Sequence, residues 1–251
     1  MCYAIAYLTK RLEKYAQRYD VPVQPATSAG TVMSSEFPLY YFVSGFDHPA
    51  LPVITSDGIS FSRWGLIPSW VNNTNTANEL RTKTLNAMGE TVFEKPSFRK
   101  AIVTKRCLLG INGFFEWRLF NKIKYPYLIT SKSNEIFSLG CLYDTWQNPD
   151  TGEKLNTFSI ITTPANPLME KIHNTKKRMP LIIPEDCEKD WISAGLSKPE
   201  VAVLIKPYDE RDMKAITISQ KVNFAKNNRN VPDIMNPVGY PELSFFGNEL
   251  I

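Results

Sequence analysis

The chain opens on a helical pattern. Leu8, Leu12, Tyr15, Ala16 and Tyr19 recur at helical spacing, and Thr9 is placed to cap the start of a helix over residues 8–19. From there to about residue 60 the sequence is rich in Pro, Ser and aromatics, which predicts loops and short strands. Between Ile102 and Thr163 the pattern becomes strand-like. CLLGI, FFEW, YPYLIT, IFSLGCLY and TFSIITT are short β-rich runs separated by polar or turn segments. Asn166-Pro167 then opens a short helix, NPLMEKIH, with Asn as its cap and Pro at the first helical position, ending near His173. MPLII follows as a buried strand and PEDCEKDWISAG as a capped helix ending at a glycine; EVAVLIK and KAITIS complete the set. Strands and helices mix without a regular βαβ alternation. That predicts an α+β fold with a mostly antiparallel, strongly curved sheet. No linker divides the pattern, so residues 1–251 are expected to form a single domain.

Composition narrows the class without naming a function. A chain of 251 residues can bury a sizeable core, and its apolar and charged fractions are those of an ordinary soluble protein. The net charge of +4 permits a polyanionic partner but does not demand one. No apolar run is long enough to span a bilayer, so no membrane partner is expected. The N-terminus, MCYAIAYLTKRLEKY, has no basic segment before its short apolar stretch and does not read as a signal peptide. Cys2, Cys107, Cys141 and Cys187 form no close pair along the chain, and no Cys/His cluster has metal-ligand spacing. The expected setting is a reducing cytoplasm, nucleoid-associated if the chain is bacterial, with no metal and no cofactor.

Cys2 carries the most specific chemistry, because it directly follows Met1. Were Met1 removed, an α-amine and a thiol would share one carbon skeleton. Such a 1,2-aminothiol condenses with an aldehyde through its amine and closes a five-membered thiazolidine through its sulfur. The ordinary pKa values, about 8 and about 8.5, leave part of each group nucleophilic near neutral pH. A cysteine near a terminus is also commonly incidental.

Other residues carry two readings each. In GFFEW, strand alternation puts Phe115 and Trp117 on one side and Phe114 and Glu116 on the other. Glu116 is either a partly desolvated acid/base group among aromatics or a strand-edge glutamate in water. His173 either complements the end of its helix or serves as a second acid/base group with Arg178 beside it. His48, in FDHPAL, reads as a turn residue. Asn86, in TLNAMGET, either orients a substrate or caps a short helix near Glu90. Trp64 and Trp70 are core candidates, with Trp70 the better platform for stacking a base. From Met213 to Val231 the chain carries Lys214, Lys221, Lys226 and Arg229 and no acid, together with Ser219, Asn223, Asn227 and Asn228. That composition suits phosphate contacts and equally suits a solvated loop.

In their joint order, Met1-Cys2, WGLIPSW (64–70), NAMGET (86–91), NGFFEW (112–117), IHNTKKRMP (172–180) and ISQKVN (218–223) resemble the SRAP family, the SOS-response-associated peptidases. The resemblance implies a single SRAP-like domain, a barrel-like mixed/antiparallel sheet surrounded by helices. It implies binding of abasic sites in single-stranded DNA or at single-strand/double-strand junctions, by a monomer. It also implies DNA-damage chemistry in which Cys2 attacks the ring-opened aldehyde and forms a covalent thiazolidine link. By motif, Cys2 is then the nucleophile, Glu116 moves protons, His173 assists sugar ring opening and Asn86 positions the cysteine or sugar. Trp70, Arg178, Ser219, Lys221, Asn223 and, in the same basic loop, Lys226 would face DNA. The chain departs from the commonest pattern at Tyr3-Ala4, Met88, VSGFDHP and a longer spacer between His173 and Arg178. Arg81, Lys83 and Lys105 are the candidates to replace the cations lost at these departures. Two other activities use the same residues. One is a peptidase in which Cys2, His173 and Glu116 release Met1. The other is a non-covalent single-strand binder built on Trp70 and the basic C-terminal region.

Overall fold

The computed structural model describes residues 2–22 and 37–246. Among them the chain runs through β1 (Ala4–Tyr7), α1 (Leu12–Tyr19), β2 (Tyr40–Ser44), β3 (Ala50–Thr55), β4 (Gly58–Trp64) and α2 (Thr74–Lys83). It continues through β5 (Asn86–Met88), α3 (Ala101–Thr104), β6 (Arg106–Ile111), β7 (Gly113–Phe120), β8 (Ile123–Ser131), β9 (Phe137–Gln147) and β10 (Lys154–Pro164). The last elements are α4 (Pro167–Ile172), β11 (Arg178–Pro180), β12 (Ile182–Ile183), α5 (Glu188–Ile192), α6 (Lys198–Leu204) and β13 (Met213–Thr217), joined by short 3-10 turns.

Two sheets result. One is antiparallel throughout, in the order β13-β8-β7-β1-β2. The other closes on itself: β10 pairs with β4, β4 with β3, β3 with β6, β6 with β9, and β9 returns to β10. The β10–β4 step is parallel and the others antiparallel, so the ring is a small mixed barrel. Closure removes the free edges that an open sheet would expose. One apolar cluster draws on both sheets, with Ile5, Phe114 and Ile129 from the open sheet and Leu51, Cys107, Leu139 and Phe158 from the barrel. The expected α+β fold with a curved, barrel-like sheet is the one observed.

Local signals succeed where caps and alternation agree. Asn166 accepts the Met169 N–H at 2.9 Å and α4 ends at His173, as the sequence predicts. CLLGI, FFEW, YPYLIT, IFSLGCLY and TFSIITT lie in β6 to β10. Where long-range bonds compete, the elements shift. The first helix starts at Leu12 rather than near Leu8, because the Asn112 side chain accepts the Leu8 N–H at 2.7 Å and the Lys10 carbonyl accepts from Phe37 N at 2.8 Å. MPLII splits at Leu181, whose N–H donates to Ile161 on β10 while its carbonyl accepts from Gly140 on β9. The helix in PEDCEKDWISAG stops at Ser193, before its glycine, because the Arg106 guanidinium takes the carbonyls of Trp191 and Ser193. In EVAVLIK, Ser197 and Glu200 close a capping box and start α6; Val201 is buried and Val203 exposed.

The barrel wall is tight beneath α1. The Gly110 N–H donates to the Tyr15 hydroxyl at 2.6 Å, and a Cβ at Gly110 would sit 2.8 Å from the Tyr15 ring. Overpacking of this kind costs about 1–3 kcal/mol. Gly110→Ala is therefore expected to lower the urea midpoint with no change in the slope of unfolding free energy against denaturant. An unchanged midpoint would contradict the close packing.

Candidate active site

The antiparallel pairing of β1 with β7 sets Ile5 opposite Phe114 and Ala6 opposite Gly113. Continued outward, that register brings the first residues of the chain level with Glu116 and Trp117. The alternation read from GFFEW holds: Phe114 packs in the shared core, while Phe115 and Trp117 join a separate cluster on the other face with Phe42 and Val222. Glu116 follows Phe114 inward and is 3% exposed. Burial pushes its carboxyl up to about 7.

His173 reaches this carboxyl from the end of α4, with Nε2 4.0 Å from Glu116 Oε2. Its Nδ1 faces the Arg178 backbone, 2.9 Å from the carbonyl and 3.3 Å from the N–H, which turns Nε2 toward Glu116. The longer spacer between His173 and Arg178 leaves this contact in place. Burial holds the imidazole below its ordinary pKa. The Glu116 separation is within charge-pair range but too long for a hydrogen bond. Desolvation dominates both groups, so a neutral imidazole stands beside a carboxyl that titrates near neutrality. Such a pair can pass protons in either direction.

A cleft of about 460 Å³ opens over these two side chains. Tyr3, Phe42, Phe46 and Trp117 supply aromatic walls, and Lys124, Lys176 and Arg229 supply positive charge. Thr175 and Lys176, from the lengthened spacer, form part of that wall. The Arg229 guanidinium lies 4.5 Å from the centre of the Phe42 ring. Asn230 anchors this C-terminal stretch along β2 by accepting from Tyr41 N at 2.7 Å and donating to the Leu39 carbonyl at 3.2 Å.

Cys2 differs from the accessible terminal thiol expected of it. In this chain, with Met1 ahead of it and outside the described residues, its side chain is 0% exposed in the shared core. Burial first, and then the Glu116 charge, push the thiol pKa well up. The sulfur is thus a closed-off neutral thiol within electrostatic reach of Glu116, rather than a preformed thiolate. Its neighbours Tyr3 and Ala4 line the cleft. Cys107 and Cys141, unpaired along the sequence, face each other across β6 and β9; all four cysteines are free thiols.

The remaining candidates fall in different places. Asn223 lines the cleft as a brace: it accepts from Trp117 Nε1 at 2.6 Å and donates to the Lys124 carbonyl at 3.0 Å. Ser219 caps the 3-10 turn Gln220–Asn223 at the cleft's edge, and Lys221 and Lys226 are exposed on and just after it. Trp70 is 50% exposed on the loop after β4 and does not line the cleft, whereas Trp64 is buried and donates to the Leu85 carbonyl at 2.8 Å. Asn86 is on β5 and is not among the residues that line the cleft; both amide atoms are buried without a hydrogen-bond partner. It does not cap the turn near Glu90. Arg178 is 9% exposed and committed inward, with its fork on the Glu90 carboxylate and further bonds to Thr162. Sequence reasoning missed Tyr3, Phe42, Phe46, Lys124 and Lys176; the Lys-rich stretches NKIK and NTKKR were the available signal for the two lysines. Among the described residues no group of three or more Cys, His, Asp and Glu side chains is placed to hold a metal ion, and no helix is long and apolar enough to cross a membrane.

Comparison with known proteins agrees with this architecture. A crystal structure of a protein from Bacteroides thetaiotaomicron superposes with a TM-score of 0.85 at 40% identity, covering 94% of this chain and 100% of that one. The abasic site processing protein YoqW of Bacillus subtilis is 44% identical over 168 residues, 66% of this chain and 71% of the relative. The abasic site processing protein HMCES of Xenopus tropicalis is 30% identical over 186 residues, 66% of this chain and 54% of the relative. Residues 3–225 match the family described as SOS response associated peptidase, a span that starts just after Cys2. On that match, which takes in most of both sheets and the Glu116–His173 cleft, the chain belongs to the SRAP family.

Proposed function

We propose that the protein processes abasic sites in single-stranded DNA, or at single-strand/double-strand junctions, by forming a covalent thiazolidine with the lesion through Cys2 once Met1 is removed. The observation that carries this reading is the Glu116 carboxyl, raised to about 7, beside His173 in a cation-rimmed cleft that begins at Tyr3. The names of the relatives YoqW and HMCES support the choice of lesion.

The Cys2 amine, freed by loss of Met1, adds to the aldehyde of the ring-opened sugar. Glu116 accepts the proton released from nitrogen and returns it to the carbinolamine hydroxyl, which leaves as water and gives an imine. The neutral thiol then adds to the imine carbon. Its proton passes by way of Glu116 to the nitrogen, closing the ring with no further loss of atoms. A carboxyl that titrates near neutrality suits both proton transfers, because each protonation state is well populated. His173 assists opening of the sugar by moving the proton of its anomeric hydroxyl. Asn86, whose two amide atoms are buried without a partner, positions the cysteine or the sugar. The missing base lets the sugar enter without the cost of unpairing. Lys124, Lys176 and Arg229 hold the flanking phosphates at the rim, with Lys221 and Lys226 beyond them.

The test is direct. An oligonucleotide with one abasic site, mixed with purified protein, should yield a heat-stable, slow-migrating band on a denaturing gel. The mass of the band should equal a polypeptide beginning at Cys2 plus the strand, less one water. Absence of the band from protein shown by mass to begin at Cys2 would reject the proposal.

A further inference from the structure

A second group of cations lies outside the cleft, where the end of β4 meets the end of α2. Gly65 adopts φ +112°, and a Cβ there would collide with the Arg81 carbonyl and sit 2.9 Å from His48 Nδ1. Lack of a side chain therefore lets the end of α2 and the turn at His48 close against the same point of the chain. His48 Nδ1–H donates to the Trp64 carbonyl at 2.7 Å, which fixes the ring beside Gly65. Arg63, immediately before Trp64, is exposed and electrostatically coupled to both Arg81 and His48.

Charge here is uncompensated. Arg81 Nε is buried and has no hydrogen-bond partner. Among the described residues neither Arg63 nor Arg81 forms an ion pair, and Asp47 is the acid that acts on His48. Of the other candidate cations, Lys83 lies 3.8 Å from Glu79 and Lys105 pairs with Asp144 at 2.5 Å. The Arg63 charge disfavours that of Arg81, whose buried Nε–H is unused, and a bound anion would relieve both. A planar guanidinium fork matches the oxygens of a phosphodiester. Trp70, half exposed, lies on the loop after β4.

We propose that Arg63 and Arg81, held together at Gly65 with His48, form a phosphate-binding site that engages the DNA backbone separately from the Glu116 cleft. The inference rests on the DNA reading above for the source of the phosphate, while the anion site itself stands on the arginine geometry.

The Arg81 Nε–Hε resonance reports on the site directly. Titration of the full chain with inorganic phosphate, and separately with an undamaged oligothymidylate, should shift that resonance saturably in both arms. In fluorescence binding of the oligothymidylate, the slope of log affinity against log salt should become shallower by about 0.7 for each arginine removed in Arg63→Ala and Arg81→Ala. Lys189→Ala, whose lysine is already paired with Asp20, should leave the slope unchanged. An Arg81 resonance unmoved by both ligands overturns the proposal. So does a shift by phosphate alone with an unaltered salt slope in the arginine variants, since the site would then take free phosphate and not DNA. If no covalent adduct forms on abasic DNA while both arms shift Arg81 and the slope falls, the phosphate site stands and the covalent reading fails. Arg63→Ala alters only an exposed side chain, so it keeps the slope measurement available should Arg81→Ala fail to fold.

Discussion

Cys2→Ala is expected to abolish the heat-stable adduct completely while leaving a borohydride-trapped adduct in place. The two halves of the result separate the roles of amine and sulfur. Alanine keeps the α-amine and remains a small residue after Met1, so Met1 removal and imine formation both persist. It cannot close the ring, and the imine hydrolyses on denaturation unless reduced. A stable band from Cys2→Ala without reductant would place the covalent bond elsewhere in the chain. Loss of the trapped band as well would indicate that the thiol, not the amine, makes the first attack. The thiol is packed in the shared core, so the variant also forms a small cavity costing about 1 kcal/mol, to be checked by thermal unfolding.

Glu116→Gln should slow adduct formation roughly 10²–10⁴-fold, the usual contribution of a positioned proton donor and acceptor. Gln keeps the shape and cannot carry the proton. The wild-type rate should vary with pH through a group near 7, and the Gln variant should lose that dependence. Stability should move the other way. The folded carboxyl has a raised pKa, so its favourable contribution is full below the ordinary carboxylate range, about 4.5. It is lost as pH rises through about 7, because the fold must then hold a buried charge. At pH 4 the two proteins should be nearly equally stable. At pH 8 the variant should exceed wild type by up to about 3 kcal/mol. Chemical denaturation at the two pH values measures this, and equal differences at both would mean that Glu116 is not desolvated. A faster, unstable variant would reject both the catalytic and the electrostatic assignment.

These two residues also show how differently the site was legible. Alternation in GFFEW correctly put Glu116 on the same face as Phe114, and the cap at Asn166 correctly started a short helix that ends at His173. Both facts are local, fixed by backbone geometry within a few residues. Their separation of 4.0 Å is not local: it depends on β7 and α4 meeting across most of the chain. Arg178 illustrates the limit. From sequence it is a cation next to a histidine; in the fold its charge is spent on Glu90, brought across β10 by the chain that follows β5. Trp70 is exposed as the sequence suggested, yet it lies outside the cleft, whose aromatic walls are Tyr3, Phe42, Phe46 and Trp117.

Cys2 marks the division most sharply. Its position after Met1, and so the aminothiol it would become, is a matter of covalent order alone. Whether its sulfur meets water is not. Desolvation and charge depend on what distant segments pack against a group, and no window of neighbouring residues contains that information. The amino-acid order by itself determined the α+β class, the strands β6 to β10, the capped helix before His173 and the family motifs. Tertiary structure alone decided the closed barrel, the near-neutral carboxyl at Glu116, the buried thiol and the cations left without partners.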